Sequence, residues 1–295
     1  MVQYSICNFT YKMRSNMKKV YKVTNSITHF FAFLSGLILF LVSPHFMLNH
    51  RKKWAPFMHW DYAHRGLYDN LWGTPENSLP AFKAAVEKGY GIELDVHLTA
   101  DNELVVHHDD SLYRMCHVER DIKDMTLKEV RQYKLLNTEE KIPTLQEVLD
   151  LVDGKVPLLV ELKTESHTCD RLCRIFSKTM LNYSGLYIVE SFNPLALHWY
   201  KKHNPKVLRG QLSCNFFKEK PHCDLVLFMI TVLGSNFLAR PDFISYKYTD
   251  YKNPIVRLNC RLLQARLALW TINTMDAYEA VRDNADMIIF EGIEP

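Results

Sequence analysis

The stretch Gly91-Ile-Glu93-Leu-Asp95-Val-His97-Leu-Thr99-Ala-Asp101-Asn-Glu103-Leu-Val105-Val-His107-His108-Asp109 decides the fold. It holds two β-branched, apolar runs, 91–99 and 103–109, parted only by Ala100, Asp101 and Asn102. A parallel crossover needs about a dozen residues or more, so these runs form an antiparallel hairpin. Seven further runs of the same kind occur at 62–66, 157–163, 186–192, 207–212, 243–246, 267–272 and 287–290. With the hairpin's return arm set aside, eight strands remain in about 240 residues, with connections long enough to hold helices. Helical patterns stand at 144–152, 169–181, 194–203, 254–263 and 275–284. One more opens at Asn77 or Ser78, tolerates Pro80 in its first turn and ends at Gly89. This alternation predicts an α/β protein, a (β/α)8 TIM barrel with a β-hairpin extension after strand 2; a doubly wound sheet is the alternative. Five residues follow Phe290, which leaves no room for an eighth helix.

Charged residues inside these strands point to chemistry. Glu93 and Asp95 stand two apart on one strand, and Glu161 and Lys163 two apart on the next. Side chains alternate across a strand, so each pair shares a face. Ionised groups within apolar strands cost several kcal/mol each unless they are paired or bind a metal. Three converging carboxylates make a hard oxygen site suited to Ca2+ or Mg2+. The blander alternative is a Glu161–Lys163 ion pair beside a solvent-facing Glu-x-Asp. His64-Arg65-Gly66 ends the first strand at its C-terminal end, the catalytic face of a barrel, and Gly66 supplies the exit turn. The hairpin returns His108 beside Glu93, and strand alternation then turns His107 away. Imidazoles, cations and carboxylates at one rim suit acid–base chemistry at a phosphoryl centre.

The ordered series His64-Arg65-Gly66, Glu76-Asn77, Glu93-Leu-Asp95-Val with Thr99-Ala-Asp101, Val105-Val-His107-His108-Asp109, Glu161-Leu-Lys163 and Ser191-Phe192 resembles the glycerophosphodiester phosphodiesterase family. The resemblance covers nearly all of residues 60–290. It implies a TIM barrel that hydrolyses glycerophosphodiesters to glycerol 3-phosphate and an alcohol with one divalent cation. Position by position, it implies Glu93, Asp95 and Glu161 as metal ligands and His64 and His108 as the acid–base pair. Arg65 and Lys163 would neutralise the phosphate. Glu76 would orient groups from behind the ligands rather than bind the metal, and Trp270 would be the aromatic of the substrate pocket, with plain core packing as its alternative. One departure stands out: Phe290-Glu291 occupies the place where the family carries Thr-Asp, which leaves the barrel's closing edge open.

The net charge of +3 hides an asymmetry. Residues 1–56 contain eight Lys or Arg and no acid, leaving 28 basic and 33 acidic side chains in 57–295, a net of −5. An acidic body repels phosphate backbones, which excludes nucleic acid as its partner. The basic leader instead carries 27–48, free of Asp, Glu, Lys and Arg, and 22 helical residues rise about 33 Å, enough for one membrane span. The expected organisation is therefore a basic leader with a membrane anchor, 1–56, and a catalytic barrel, 57–295; a cleaved signal, for which no small-x-small site stands near the segment's end, and a helix packed on the barrel are the alternatives. Lysines and arginines on both sides of the span leave its orientation open. Seven scattered cysteines without a Cys-x-x-Cys pair give neither a disulfide framework nor a zinc site. Residues 225–233, LVLFMITVL, are too few to span a bilayer and read as a buried or interfacial segment near the barrel mouth.

These observations together predict a metal-dependent phosphodiester hydrolase of lipid metabolism in a single-pass membrane protein. A lysophospholipid substrate is the alternative within the same chemistry, and a catalytically silent, membrane-bound binding module the alternative outside it.

Overall fold

A long N-terminal helix, α1 (Val2–Val42), precedes alternating strands and helices. In chain order these are β1 (Asp61–His64), α2 (Leu79–Lys88), β2 (Gly91–Leu98), β3 (Leu104–Val106), α3 (Leu145–Val152), β4 (Leu158–Leu162), α4 (Cys169–Thr179), β5 (Tyr187–Ser191) and α5 (Pro194–His203). Then come β6 (Arg209–Ser213), α6 (Leu225–Thr231), α7 (Asn236–Ala239), β7 (Phe243–Lys247), α8 (Pro254–Arg257), β8 (Arg266–Ile272), α9 (Met275–Val281) and β9 (Met287–Phe290). The computed structural model describes residues 2–44, 51–58, 60–220, 222 and 224–295, in two compact units, Met1–Leu41 and Val42–Pro295.

In the second unit the strands neighbour one another in the order β1-β9-β8-β7-β6-β5-β4-β2, and β2 pairs in turn with β1. The parallel sheet therefore closes into an eight-stranded TIM barrel rather than an open, doubly wound sheet. β3 hangs antiparallel on β2, with Val96 opposite Val106 and His97 opposite Val105, so the three-residue turn makes the hairpin. The closing edge is intact despite Phe290-Glu291, because β9 pairs with β8 on one side and with β1 on the other.

Two apolar layers follow from the alternation of side chains along each strand. Ala63, Ile92, Leu94, Val160, Val189 and Ile244 face the helices and join a core with Phe82, Leu149 and Phe176. Tyr62, Leu159, Ile188, Leu208, Phe243, Ala268, Met287 and Ile289 fill the barrel interior, together with Trp54 and Phe57 from ahead of β1. Trp54 is fully buried and meets the Phe243 ring edge-on at 5.4 Å, plugging the end of the barrel opposite the strand C-termini. Gly210 is required beside it, since a Cβ there would lie 2.1 Å from the Phe243 ring.

Helix α2 shows why local sequence sets the boundaries. Ser78 Oγ accepts from the Ala81 N–H, Pro80 sits in the first turn, and Gly89, at φ 76°, caps the C-terminus through the Ala85 and Val86 carbonyls. In the first unit the apolar segment is Tyr21–Val42, 22 residues long, with side chains 21–40 exposed, and it is long and apolar enough to cross a membrane. α1 ends at Val42, six residues short of the expected span's end, and residues 45–48 of that span lie outside the described residues. Cys116, Cys169, Cys173, Cys214 and Cys260 are free thiols; Cys223 and the side chain of Cys7 lie outside the described residues.

Trp54→Ala should lower unfolding free energy by about 3–5 kcal/mol in a urea titration, since it empties the plug. Leu71→Ala, at a side chain 89% exposed, should stay within about 0.5 kcal/mol of the unaltered protein.

Candidate active site

Strands β2 and β4 run side by side with Asp95 opposite Glu161, so the acids spaced two apart converge at the barrel's C-terminal end. Glu93, Asp95 and Glu161 are buried, and one oxygen of each lies within 4.8 Å of the others. Lys163 Nζ stands 3.0 Å from Asp95 Oδ1 and 2.8 Å from Glu161 Oε2. The Glu161–Lys163 pair thus exists, but Glu93 and Asp95 face the interior rather than solvent. Asn77 Nδ2 donates to Asp95 Oδ2 at 2.9 Å, and the Arg65 backbone N–H donates to Glu93 Oε2 at 3.1 Å.

Burial and the neighbouring carboxylates Asp95, Glu190 and Glu161 push the Glu93 carboxyl well up. Burial and Asp95 also raise Glu161, against the pull of Lys163. Burial acts the same way on Asp95, yet Lys163, His108 and Arg65 together hold it down. Crowded, desolvated, all-oxygen donors of this kind match a hard divalent cation, whose charge offsets the repulsion that raises Glu93.

Two imidazoles flank this cluster. His64 Nδ1 lies 2.6 Å from Glu291 Oε2; a carboxylate can only accept, so Nδ1 carries the proton and Nε2 is left to face Glu93 at 3.9 Å. Burial lowers the His64 pKa, and the Glu291 hydrogen bond opposes it. His108 repeats the arrangement: Nδ1 lies 2.6 Å from Asp109 Oδ1, while Asp109 Oδ2 accepts from Arg114 Nε at 2.6 Å. His107 is buried outside the pocket lining, and burial pushes it down to about 4.

The turn after β1 sets Arg65. Its backbone adopts φ 57°, in the left-handed region, and Gly66 follows at φ 81°, where a Cβ would press on Ala81 at 2.9 Å. Arg65 Nη1 then reaches Glu76 Oε1 at 2.7 Å. Glu76 also takes both terminal nitrogens of Arg114, at 2.8 and 2.6 Å, and Asn70 Nδ2 at 3.0 Å. It is buried but stands apart from the three-acid cluster. Burial pushes its carboxyl up; Arg114, Arg65 and Asn70 together outweigh this and hold it at about 2.

A cavity of about 230 Å³ gathers His64, Arg65, Glu93, His108, Glu161, Phe192 and Trp270, together with Glu190, Leu212, Thr271 and Ile289. Lys163 is not among the residues of that wall; its ammonium is paired with Asp95 and Glu161. A larger cavity of about 490 Å³, between Tyr251 and Asp286, holds none of these groups. Four participants are missing from the sequence-based site: Glu190, Glu291, Asp109 and Arg114. Glu190 pairs in register with Glu161 and is 1% exposed, so it brings a third carboxylate to the cavity wall, beside Glu93 and Glu161. An acid inside an apolar strand, the signal that marks Glu93, was present there too. Arg114 lies in the connection after β3, where nothing local marks it.

The chain is similar to known proteins. Residues 64–289 match the model of the glycerophosphoryl diester phosphodiesterase family. A glycerophosphodiester phosphodiesterase of Caldanaerobacter subterraneus subsp. tengcongensis is 36% identical over 246 residues, 79% of this chain and 93% of that protein. The crystal structure of a glycerophosphodiester phosphodiesterase from Parabacteroides distasonis is similar at TM-score 0.62 and 26% identity, over 78% of this chain and 92% of that one. An Oleispira antarctica phosphodiesterase, solved with the product sn-glycerol-3-phosphate, shares the fold at TM-score 0.64 and 21% identity, over 79% of this chain and 93% of that one. With the match beginning at His64 and running to the last barrel strand, this chain belongs to the glycerophosphoryl diester phosphodiesterase family.

Proposed function

We propose that the protein is a metal-dependent hydrolase that cleaves glycerophosphodiesters to glycerol 3-phosphate and an alcohol, works in lipid metabolism, and is held at a membrane by Tyr21–Val42. The observation that carries this reading is the pair of imidazoles, His64 and His108, each with Nδ1 held by a carboxylate, at a cavity that also contains Glu93 and Glu161. Glu93, Asp95 and Glu161 would hold the cation. Bound there, Ca2+ or Mg2+ supplies Lewis-acid charge to the phosphoryl oxygens.

The chain's own groups account for the proton transfers. One imidazole Nε2 takes the proton of the glycerol hydroxyl next to the ester, and that oxygen attacks phosphorus. The other imidazole protonates the departing alcohol, leaving a cyclic phosphate, and the pair used in reverse directs water to open it. Glu291 and Asp109 fix the tautomers on which this depends. Arg65 and Lys163, the latter paired with Asp95 and Glu161, would neutralise the phosphate. The apolar wall of Phe192, Leu212 and Trp270 favours a second reading within this chemistry, release of the head group from a lysophospholipid.

Changing Glu93, Asp95 or Glu161 to Ala should abolish both cation binding, read by titration calorimetry, and turnover; a Glu161→Ala protein fully active in chelator would refute the metal role. His64→Ala and His108→Ala should keep cation affinity and lose about 10² to 10⁴ in rate. His107→Ala should keep its turnover; a loss equal to that of His108→Ala would overturn the assignment of the pair. Glu76 makes a pH-dependent contribution to stability, since its carboxyl falls from 4.5 unfolded to about 2 folded. That contribution, about 3 kcal/mol, is complete above the unfolded value and is lost as pH falls through the folded one. The urea stability gap between the unaltered protein and Glu76→Gln should therefore shrink by more than half from about pH 6 to about pH 3.

A further inference from the structure

Glu190 has no task in the proton transfers, although it stands 1% exposed in the cavity wall. Its Oε2 is buried and finds no hydrogen-bond partner in the chain. A buried oxygen of this kind gives up its bonds to water and regains none within the fold, so the fold alone does not account for it. Two roles inside the protein are closed to it. Lys163 pairs with Asp95 and Glu161, and Arg65 with Glu76 and Asp95; among the described residues no lysine or arginine pairs with Glu190. Nor does Glu190 belong to the three acids whose oxygens lie within 4.8 Å of one another, which are Glu93, Asp95 and Glu161.

Strand register shows what the free oxygen stands beside. Asp95 lies opposite Glu161 and Glu161 opposite Glu190, so a row of acids runs round the barrel from β2 through β4 to β5. Glu190 ends this row beyond the three clustered acids, on the side where Phe192, Leu212 and Trp270 make the cavity wall apolar. Opposite it on β6 is Gly210, which offers no side-chain donor. Trp270 Nε1, in the same wall, is likewise buried and unpartnered. That wall therefore holds one free acceptor and one free donor. A hydroxyl, which donates and accepts at once, suits both, whereas an ammonium head group would leave the indole N–H unanswered.

We propose that Glu190 is a specificity-determining residue that reads the terminal hydroxyl of the substrate's glycerol unit, its Oε2 accepting the hydroxyl hydrogen. This rests on the diesterase reading, in which the glycerol hydroxyl next to the ester attacks phosphorus and the terminal one, a carbon further on, is otherwise without a partner. The glycerol is the small end that every such diester shares, and a cavity of about 230 Å³ with a buried polar wall suits it better than a variable head group does. A lysophospholipid carries an acyl ester at that terminal oxygen and has no hydrogen to give there. Glu190 thus selects diesters whose glycerol is free of acyl chains. Sites built to bond a hydroxyl reject analogues that lack it, because the protein's own group is then left unpaired.

The test compares glycerophosphocholine with the phosphocholine ester of propane-1,2-diol on its primary carbon, which keeps the attacking hydroxyl and lacks only the terminal one. Both are given to the full-length protein with Mg2+ or Ca2+. The unaltered protein should show kcat/KM at least about tenfold higher on glycerophosphocholine. Glu190→Ala should bring that ratio to within about threefold of one, whereas Glu190→Gln, which keeps an acceptor oxygen, should retain a preference. Because each ratio compares two substrates on one protein, a partly unfolded variant does not distort it. A structural or cation-tuning role would lower both rates together and leave the ratio where it was. That result, or an unaltered protein that cleaves both diesters equally well, would overturn the assignment and leave the diesterase reading standing. Cleavage of neither diester by the unaltered protein would instead remove the diesterase reading and this assignment with it.

Discussion

Everything at the barrel mouth depends on keeping four carboxylates, Glu93, Asp95, Glu161 and Glu190, inside a closed apolar sheet. Several ionised acids at such spacing repel one another strongly when desolvated. Lys163 between Asp95 and Glu161, and Arg65 against Asp95, offset part of that repulsion. The remainder is what suits Glu93, Asp95 and Glu161 to holding a cation. Barrel closure is the geometric condition: only because β2 pairs with both β1 and β4 do His64, Glu93 and Glu161 meet.

Around that centre the structure supports reactive groups from behind. Glu291 and Asp109 hold the two imidazoles by the same ring nitrogen, and Arg114 ties Asp109 to Glu76, which in turn holds Arg65. Loops after β1 and β3 are thus joined in one ionic network, while the loop after β9 reaches β1 through Glu291 and His64. The left-handed backbone at Arg65 is the local strain this network sustains, since non-glycine residues hold such a conformation only where their surroundings fix it.

The fold was legible because its signals are local. The three residues between the hairpin arms force an antiparallel return, and Ser78, Pro80 and Gly89 punctuate α2 within a dozen residues. The ligand-like spacing of Glu93, Asp95 and Glu161 was equally local. The backing groups were not. Glu291 meets His64 across 227 positions of sequence and Arg114 meets Glu76 across 38, so neither contact leaves a pattern in its own neighbourhood. Phe290-Glu291 looked like a break in the closing strand, whereas the barrel closes there through backbone pairing and the acid turns to His64. Lys163 was legible as a cation in the site, but its pairing with Asp95 depends on the register of β4 against β2.

The most direct measurement is phosphorus NMR of glycerophosphocholine incubated with the purified full-length protein, first in chelator and then with Mg2+ or Ca2+ restored. The account predicts an unchanged diester in chelator and glycerol 3-phosphate once a cation returns. An unchanged diester with both cations, or the same rate of cleavage in chelator, would contradict it.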